Sequence, residues 1–243
     1  MQLRRNLMTS LLAAPLLMAA GAAPDAPAGD LALACEPTIA PALTAVARAF
    51  RARSGVRVHV HPTAAHLLLP QLRRDVQNDL VMAGAELMDR AMGEGLVPQS
   101  VPSPAWRNRL VLVARRGTSR AQPGSGPVAV PDAWPGSTLD APALLAALGL
   151  HPERVVGGAN TAETAFLVMS GAAATGIVTT TDLRAEPRLE ALAQVDDAAY
   201  GPILYRIGVS SLARRADPGR FSNYLASPEA AALMTAAGLE VQA

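Results

Sequence analysis

Strand-like and helix-like hydrophobic patterns alternate along most of the chain. The apolar run Leu31–Cys35 predicts a short buried strand, and the apolar residues that follow recur at helical spacing until Gly55 ends the helix. Val56, Val58 and Val60 then alternate with polar residues, as expected for a half-buried strand. This unit repeats downstream, so we predict an α/β protein with mostly parallel sheets.

Thr38 is predicted to be the N-cap of the first helix, because its hydroxyl can accept a hydrogen bond from an amide of the first turn. Similar patterns predict the remaining helices and strands. Later helices are predicted at Leu67–Val76, Glu86–Met92, Leu139–Leu148, Thr161–Ser170, Asp217–Leu225 and Pro228–Ala237. Later strands are predicted at Asp79–Ala83, Arg109–Ala114, Val128–Val130, Thr175–Thr179 and Leu204–Ser210.

The beginning of the chain has the pattern of a secretory signal peptide. Two arginines precede the uncharged run Leu7–Ala20, and the small residues around Ala22 form a peptidase site. The run is shorter than the roughly 20 residues that a membrane-spanning helix needs. We therefore expect cleavage of residues 1–22, a flexible segment at 23–30 and a periplasmic protein without membrane insertion. The paired arginines fit both general and twin-arginine export.

Composition narrows the range of functions. The formal net charge of +1 comes from interspersed arginines and acidic residues, so no basic surface for nucleic acid is predicted. Cys35 is the single cysteine, which excludes an internal disulfide and a thiolate metal cluster. The chain beyond the leader is long enough for two lobes.

Several segments, taken in order, resemble the periplasmic molybdate-binding proteins of ABC importers. The resemblance spans the chain from about Leu31 to its end and rests on Leu33–Phe50 with Ser54-Gly55-Val56, Asn78–Met82, Arg109–Val113, Thr175–Val178 and Tyr224–Ala231. It implies the α/β fold of type II periplasmic binding proteins, in which two hinge strands join two lobes that close over a ligand. Lobe 1 would comprise residues 31–111 and 205–243, and lobe 2 residues 112–204.

The same resemblance implies a function. The protein would be the solute-binding component of an ABC transporter, binding a small oxyanion such as molybdate or tungstate and delivering it to an inner-membrane permease. Neither catalysis nor a cofactor is expected, and we expect a monomer. In this family the oxyanion is held by hydroxyls and by backbone amides at helix N-termini, where the helix dipole favours negative charge.

The ligand contacts that the resemblance implies can be placed on this sequence. They fall on Thr38, Ala65, His66, Gly136, Ala162 and Thr179. Thr161 directly precedes Ala162, and Trp134 lies two residues before Gly136. For Trp134 we consider two roles, as a wall of the cleft or as an aromatic that packs a loop.

Glu36 departs most from the family pattern, because a carboxylate beside a dianion would oppose binding. In one interpretation Glu36 accepts amide hydrogen bonds at the helix start. In another, Glu36 and His66 face the cleft and bind a cation, a metal complex or a small organic ligand. A third interpretation concerns the whole protein, which would keep the fold but act as a sensor or bind a partner instead of serving transport. His59 and His61 share a strand face, which we interpret as solvated rather than as part of a metal site.

Overall fold

The computed structural model describes residues 29–74, 76–100, 103–118, 126–132, 140–213 and 217–242. The predicted signal peptide lies outside these residues, as do Trp134 and Gly136. No helix within the described part of the chain is long and apolar enough to span a membrane.

The strands and helices alternate as predicted, which confirms the α/β class. The strands are β1 (Leu31–Cys35), β2 (Val58–Pro62), β3 (Leu80–Gly84), β4 (Gln99–Ser100), β5 (Ala105–Asn108), β6 (Leu110–Arg115), β7 (Val128–Pro131), β8 (Val155–Gly158), β9 (Thr175–Thr179), β10 (Leu189–Gln194), β11 (Ile203–Val209) and β12 (Glu240–Gln242). The helices are α1 (Ala40–Ser54), α2 (Ala65–Arg73), α3 (Ala85–Gly93), α4 (Ala141–Ala147), α5 (Thr161–Ser170), α6 (Thr180–Ala185), α7 (Gly219–Leu225) and α8 (Pro228–Ala236).

Two sheets organise these elements. Sheet A has the order β12-β5-β11-β3-β1-β2, with β4 paired to β11. Its strands β1, β2 and β3 are parallel, and β11 runs antiparallel to β3 and β5. Sheet B has the order β10-β6-β9-β7-β8, in which β7, β8 and β9 are parallel and β6 is antiparallel to its neighbours.

The chain crosses between the sheets twice. It leaves sheet A after β5 and enters sheet B at β6, with Arg109 as the single residue between these strands. It returns between Gln194, the end of β10, and Ile203, the start of β11. Both crossings involve strands predicted from the sequence, β6 and β11.

Helices cover both faces of each sheet. On one face of sheet A, α1, α7 and α8 pack in the largest apolar cluster, which continues to α4 on sheet B. On the other face, α2 and α3 bury leucines and methionines against β1 and β3. A third cluster joins α5 to β6, β7 and β9. This arrangement explains the all-apolar strands, because a strand covered on both faces needs no polar alternation.

The start of α1 corrects one prediction. Pro37–Ile39 forms a 3-10 turn before the α-helix, and the N-cap of α1 is Ile39. Thr38 lies inside that turn and makes no capping hydrogen bond, so its predicted role as an N-cap was wrong. The predicted end of this helix at Gly55 was right. Gly55 has a φ of +74°, a left-handed conformation that glycine adopts without strain, and its amide donates to the carbonyl of Arg51.

Candidate functional site

A cavity of about 660 Å³ lies between elements of the two sheets. On the sheet A side it is lined by the residues that follow β1, β2 and β3, and on the sheet B side by those that follow β8 and β9. In open α/β sheets, ligands bind outside the carboxyl ends of parallel strands, where helices begin. The cavity therefore lies where this architecture places a ligand.

Helix α2 begins at the cavity without a side-chain cap. Its N-cap residue is Ala64, which has no side-chain hydrogen-bond acceptor, and Ala65 and His66 form the first turn on the cavity wall. The first amides of an α-helix have no partner within the helix and need a side chain, water or a ligand. Helix α3 also begins here, at Ala85, without a capping side chain.

Helix α5 begins on the opposite wall, but its N-terminus is partly satisfied by its own residues. Asn160 accepts a hydrogen bond from the amide of Glu163 at 2.9 Å, and the Glu163 carboxylate accepts one from the amide of Ala159 at 2.7 Å. Thr161 and Ala162, the first two residues of the helix, line the cavity. The structure thus brings predicted positions on α2 and α5 to one cavity from opposite sides.

Thr179 departs from its predicted role as a ligand-facing hydroxyl. It is fully buried and does not line the cavity, because it caps α6. Its Oγ1 lies 2.5 Å from the Asp182 carboxylate and accepts a hydrogen bond from the Asp182 amide at 3.1 Å. Thr181 and Asp182 line the cavity instead.

The crossing between the sheets is tied to this same helix start. Asn108, at the end of β5, is buried and donates from Nδ2 to the hydroxyl of Thr181 at 2.9 Å. Its Oδ1 accepts from the hydroxyl of Thr180 at 2.6 Å. A residue of sheet A therefore holds the first turn of α6 at the point where the chain changes sheets.

Glu36 is buried below the cavity wall and does not line it. Its Oε1 accepts a hydrogen bond from the amide of Gly84 at 2.8 Å, which joins the ends of β1 and β3. Its Oε2 is buried without a hydrogen-bond partner among the described residues. Burial raises the pKa of this carboxyl to about 7. The amide-accepting interpretation was right in kind, but the amide is at the end of β3 and not in the first helix.

These positions exclude the proposed pairing of Glu36 with His66 in the cleft, since His66 lines the cavity and Glu36 does not. The charged side chains on the cavity wall are Glu86, Arg90 and Asp182. Within the described residues, no group of three His, Cys, Asp or Glu residues could hold a metal ion.

Two lining residues that were not predicted, Asn160 and Asp182, belong to helix caps whose signals are present in the sequence. Asn160 and Glu163 have the spacing of a capping box, in which a short polar residue precedes a glutamate by three positions. Thr179 and Asp182 have the same spacing and form the box that caps α6. These spacings mark helix starts, and in this fold several helix starts surround the cavity.

Comparison with known proteins identifies relatives of this fold. The family model described as bacterial extracellular solute-binding protein matches residues 31–240. No curated protein sequence gives a significant match.

Solved structures superpose on almost the whole described fold. The substrate binding domain assigned to a molybdenum ABC transporter of Clostridium difficile has a TM-score of 0.71 at 20% identity and covers 88% of this chain and 99% of its own. The periplasmic molybdate-binding protein of Azotobacter vinelandii has a TM-score of 0.66 at 18% identity, covering 88% and 100%. PEB3 of Campylobacter jejuni with bound L-phospholactate has a TM-score of 0.66 at 14% identity, covering 88% and 100%. These similarities confirm the predicted two-lobed fold.

Proposed function

Because the chain belongs to the family of bacterial extracellular solute-binding proteins, we propose that it is the periplasmic component of an ABC importer and binds a small oxyanion between its sheets. The observation that carries this proposal is the convergence of the N-termini of α2 and α5 on one cavity from opposite sheets. Helix N-termini bind anions through unpaired amides and the positive end of the helix dipole.

The same geometry supports closure of two lobes over the ligand. Lobe 1 at residues 31–111 and 205–243 would carry α2, and lobe 2 at residues 112–204 would carry α5. The observed crossings at Arg109 and between Gln194 and Ile203 lie within a few residues of these boundaries. Rotation about the crossings would bring both helix N-termini onto one ligand and present both lobes to an inner-membrane permease.

Molybdate or tungstate is the ligand that we favour. Two of the structural relatives are named for molybdenum or molybdate. The burial of Glu36 removes its carboxyl from direct contact with a dianion, which answers the objection raised by the sequence. Among the described residues, two carboxylates remain on the cavity wall, and each has a neighbouring group that can reduce its repulsion of a dianion. The Asp182 carboxylate is hydrogen-bonded to Thr179. Glu86 lies one helical turn before Arg90, the spacing at which opposite charges on a helix attract.

A small organic phosphate is a second candidate, favoured by the size of the cavity. A volume of about 660 Å³ exceeds what a tetrahedral oxyanion fills. The relative PEB3 is named with bound L-phospholactate, which joins an oxyanion to a small organic acid. Such a ligand would use the same helix amides for its phosphate group.

Calorimetric titration of residues 23–243 tests the proposal and separates the two candidates. The panel comprises molybdate, tungstate, sulfate, phosphate, L-phospholactate and divalent cations. Binding of molybdate and tungstate with weaker binding of sulfate supports the size-selective oxyanion site. Selective binding of L-phospholactate supports the second candidate. A ligand at 100 times its Kd should also raise the free energy of unfolding by about 2.7 kcal/mol. Binding of no anion would contradict the proposal.

Thr38→Ala should weaken oxyanion binding without destabilising the fold. Thr38 lines the cavity and caps no helix, so its removal should change the free energy of unfolding by less than about 0.5 kcal/mol. Asn160→Ala is the comparison, because it removes a real cap and should cost about 1 kcal/mol. Urea denaturation and molybdate titration of both variants measure these effects. Unchanged molybdate affinity in Thr38→Ala would remove Thr38 from the proposed site.

A further inference from the structure

A second concave surface lies at the outer edge of sheet A, away from the residues that line the cavity. It is a groove of about 260 Å³ between helix α1 and strand β2, which we call the α1–β2 groove. On the helix side, Thr44, Ala47, Arg48 and Arg51 line it. Their spacing of three, one and three residues places them on one face of the helix over two turns. The groove is therefore linear and follows the helix.

The other side of the α1–β2 groove is a strand with a free edge. Strand β2 is the last in the order of sheet A, with β1 as its pairing neighbour in the described part of the chain. The carbonyl of Arg57 accepts from Leu31 and the amide of Thr63 donates to Cys35, so both point towards β1. Backbone direction alternates along a strand, and Val58 and Val60 therefore point their amides and carbonyls towards the free edge.

The α1–β2 groove carries an excess of positive charge. Neither Arg48 nor Arg51 has a carboxylate within 4.0 Å among the described residues, although Arg53 on the same helix pairs with Glu229 at 2.7 Å. Arg57 lies 3.9 Å from the carboxylate of Asp30, which also contacts His59 at 3.2 Å. Of the three arginines that line the groove, only Arg57 therefore has a carboxylate within 4.0 Å among the described residues, and that carboxylate also contacts His59.

We propose that the α1–β2 groove binds an extended acidic segment of a partner protein, which adds to β2 as a further strand of sheet A. Three features of the groove select this occupant. Free amides and carbonyls on β2 provide the hydrogen bonds of strand addition. Arginines along α1 and at the start of β2 complement acidic side chains of the added strand. The length of the groove along two helical turns fits several extended residues better than a compact ion.

Fluorescence anisotropy with labelled peptides tests this proposal. The probe is an octapeptide that alternates Glu and Val, which has the charge and the strand propensity that the groove requires. An octapeptide that alternates Glu and Pro has the same charge, but its prolines fix φ at about −65° and remove every second donor, so it resists the extended conformation that strand addition needs. We expect the Glu-Val peptide to bind, and the Glu-Pro peptide and a Lys-Val peptide to bind at least about tenfold more weakly.

Charge reversal on α1 locates the binding. The double variant Arg48→Glu, Arg51→Glu should weaken binding of the Glu-Val peptide by about tenfold or more, because it replaces attraction with repulsion. The control Arg115→Glu, Arg154→Glu changes the net charge equally at exposed positions of sheet B and the segment beside it, and should have little effect. Unfolding curves should show that both variants are folded.

Four results would overturn the proposal. Equal binding of the Glu-Pro peptide would show a purely electrostatic surface, and equal loss in the control variant would place the peptide elsewhere. Millimolar inorganic phosphate could displace the peptide and fail to bind the Arg48, Arg51 variant. That result would identify the groove as a small-anion site. The wild type could fail to bind the peptide while the Arg48, Arg51 variant aggregates. That result would mean that the arginines only prevent edge-to-edge association of the exposed strand.

Discussion

The variant Ala65→Glu should bind molybdate more than roughly 100-fold more weakly than the wild type. Ala65 is the first residue of α2 and lines the cavity. A carboxylate there would lie within several ångströms of a bound dianion, and repulsion of at least about 3 kcal/mol is expected at the effective dielectric constant of a protein surface. The same carboxylate is favourable for the helix, since negative charge stabilises a helix N-terminus.

Ala65→Gln provides the matched control for this variant. Glutamine has nearly the same shape as glutamate but no charge, so it tests steric obstruction separately. We expect the Gln variant to retain affinity within about tenfold of the wild type. Both variants should stay folded, with the Glu variant at most about 1 kcal/mol more stable than the wild type. Equal affinities of the Glu and Gln variants would show that charge at the N-terminus of α2 is irrelevant, which contradicts an oxyanion at this position.

Glu36→Gln should make the protein more stable than the wild type above neutral pH by roughly 3 kcal/mol. The Glu36 carboxyl is fully buried, with one oxygen bonded to the Gly84 amide and the other without a partner among the described residues. Burial raises its pKa from 4.5 to about 7, because ionisation leaves a charge in a site with one hydrogen bond. Glutamine keeps an acceptor for Gly84 and carries no charge.

The direction of the pH dependence follows from the raised pKa of Glu36. The folded protein holds the proton more tightly than the unfolded chain, so the stabilising effect of protonation is complete below pH 4.5. It is lost as the pH rises towards and through about 7. The neighbouring titratable groups on β1 and β11 are Cys35 and Tyr205. Burial raises the pKa of Cys35 to about 12 and that of Tyr205 well above its ordinary value, so both stay neutral across this range.

Urea denaturation between pH 5 and pH 8.5 measures this effect. The wild type should lose stability relative to Glu36→Gln over this range, and the two proteins should be about equally stable near pH 5. Glu153→Gln, at an exposed position outside the site, serves as the control and should follow the wild type. Parallel pH profiles for the wild type and Glu36→Gln would contradict a buried, readily protonated carboxyl.

The sequence predicted the long, strongly patterned elements well. The bounds of α5 and β9 agree with the predictions Thr161–Ser170 and Thr175–Thr179. The strands β4, β5, β8, β10 and β12 and the helix α6 were missed. Four of these strands have only two to four residues, and distant partners hold some of them, as when β12 pairs with β5 across more than a hundred residues. Strand β10 has six residues, but its partner β6 lies more than 70 residues earlier in the chain. A local pattern carries little information about such pairing.

The sequence predicted which helix starts lie at the cavity, but it misplaced Glu36, Thr179 and the cap of the first helix. The helix starts with Ala65, His66, Thr161 and Ala162 do meet at one cavity, because the fold places the carboxyl ends of parallel strands together. The orientation of Glu36 was not predictable, since its partner amide lies 48 residues away. Thr38 was assigned as a cap because the sequence does not distinguish an initial 3-10 turn from the first turn of an α-helix.

The most direct test of an oxyanion site between the helix N-termini is a crystal structure of residues 23–243 grown with tungstate. Tungsten scatters anomalously, so its position is found without assumptions about the protein. We predict one strong anomalous peak in the cavity, with tungstate oxygens within hydrogen-bonding distance, about 2.7–3.2 Å, of the amides that begin α2 and α5. The crystals are grown at a tungstate concentration well above the Kd measured by calorimetry. A cavity without tungsten in such crystals would contradict the proposed oxyanion site, and so would a tungsten peak found only at another surface.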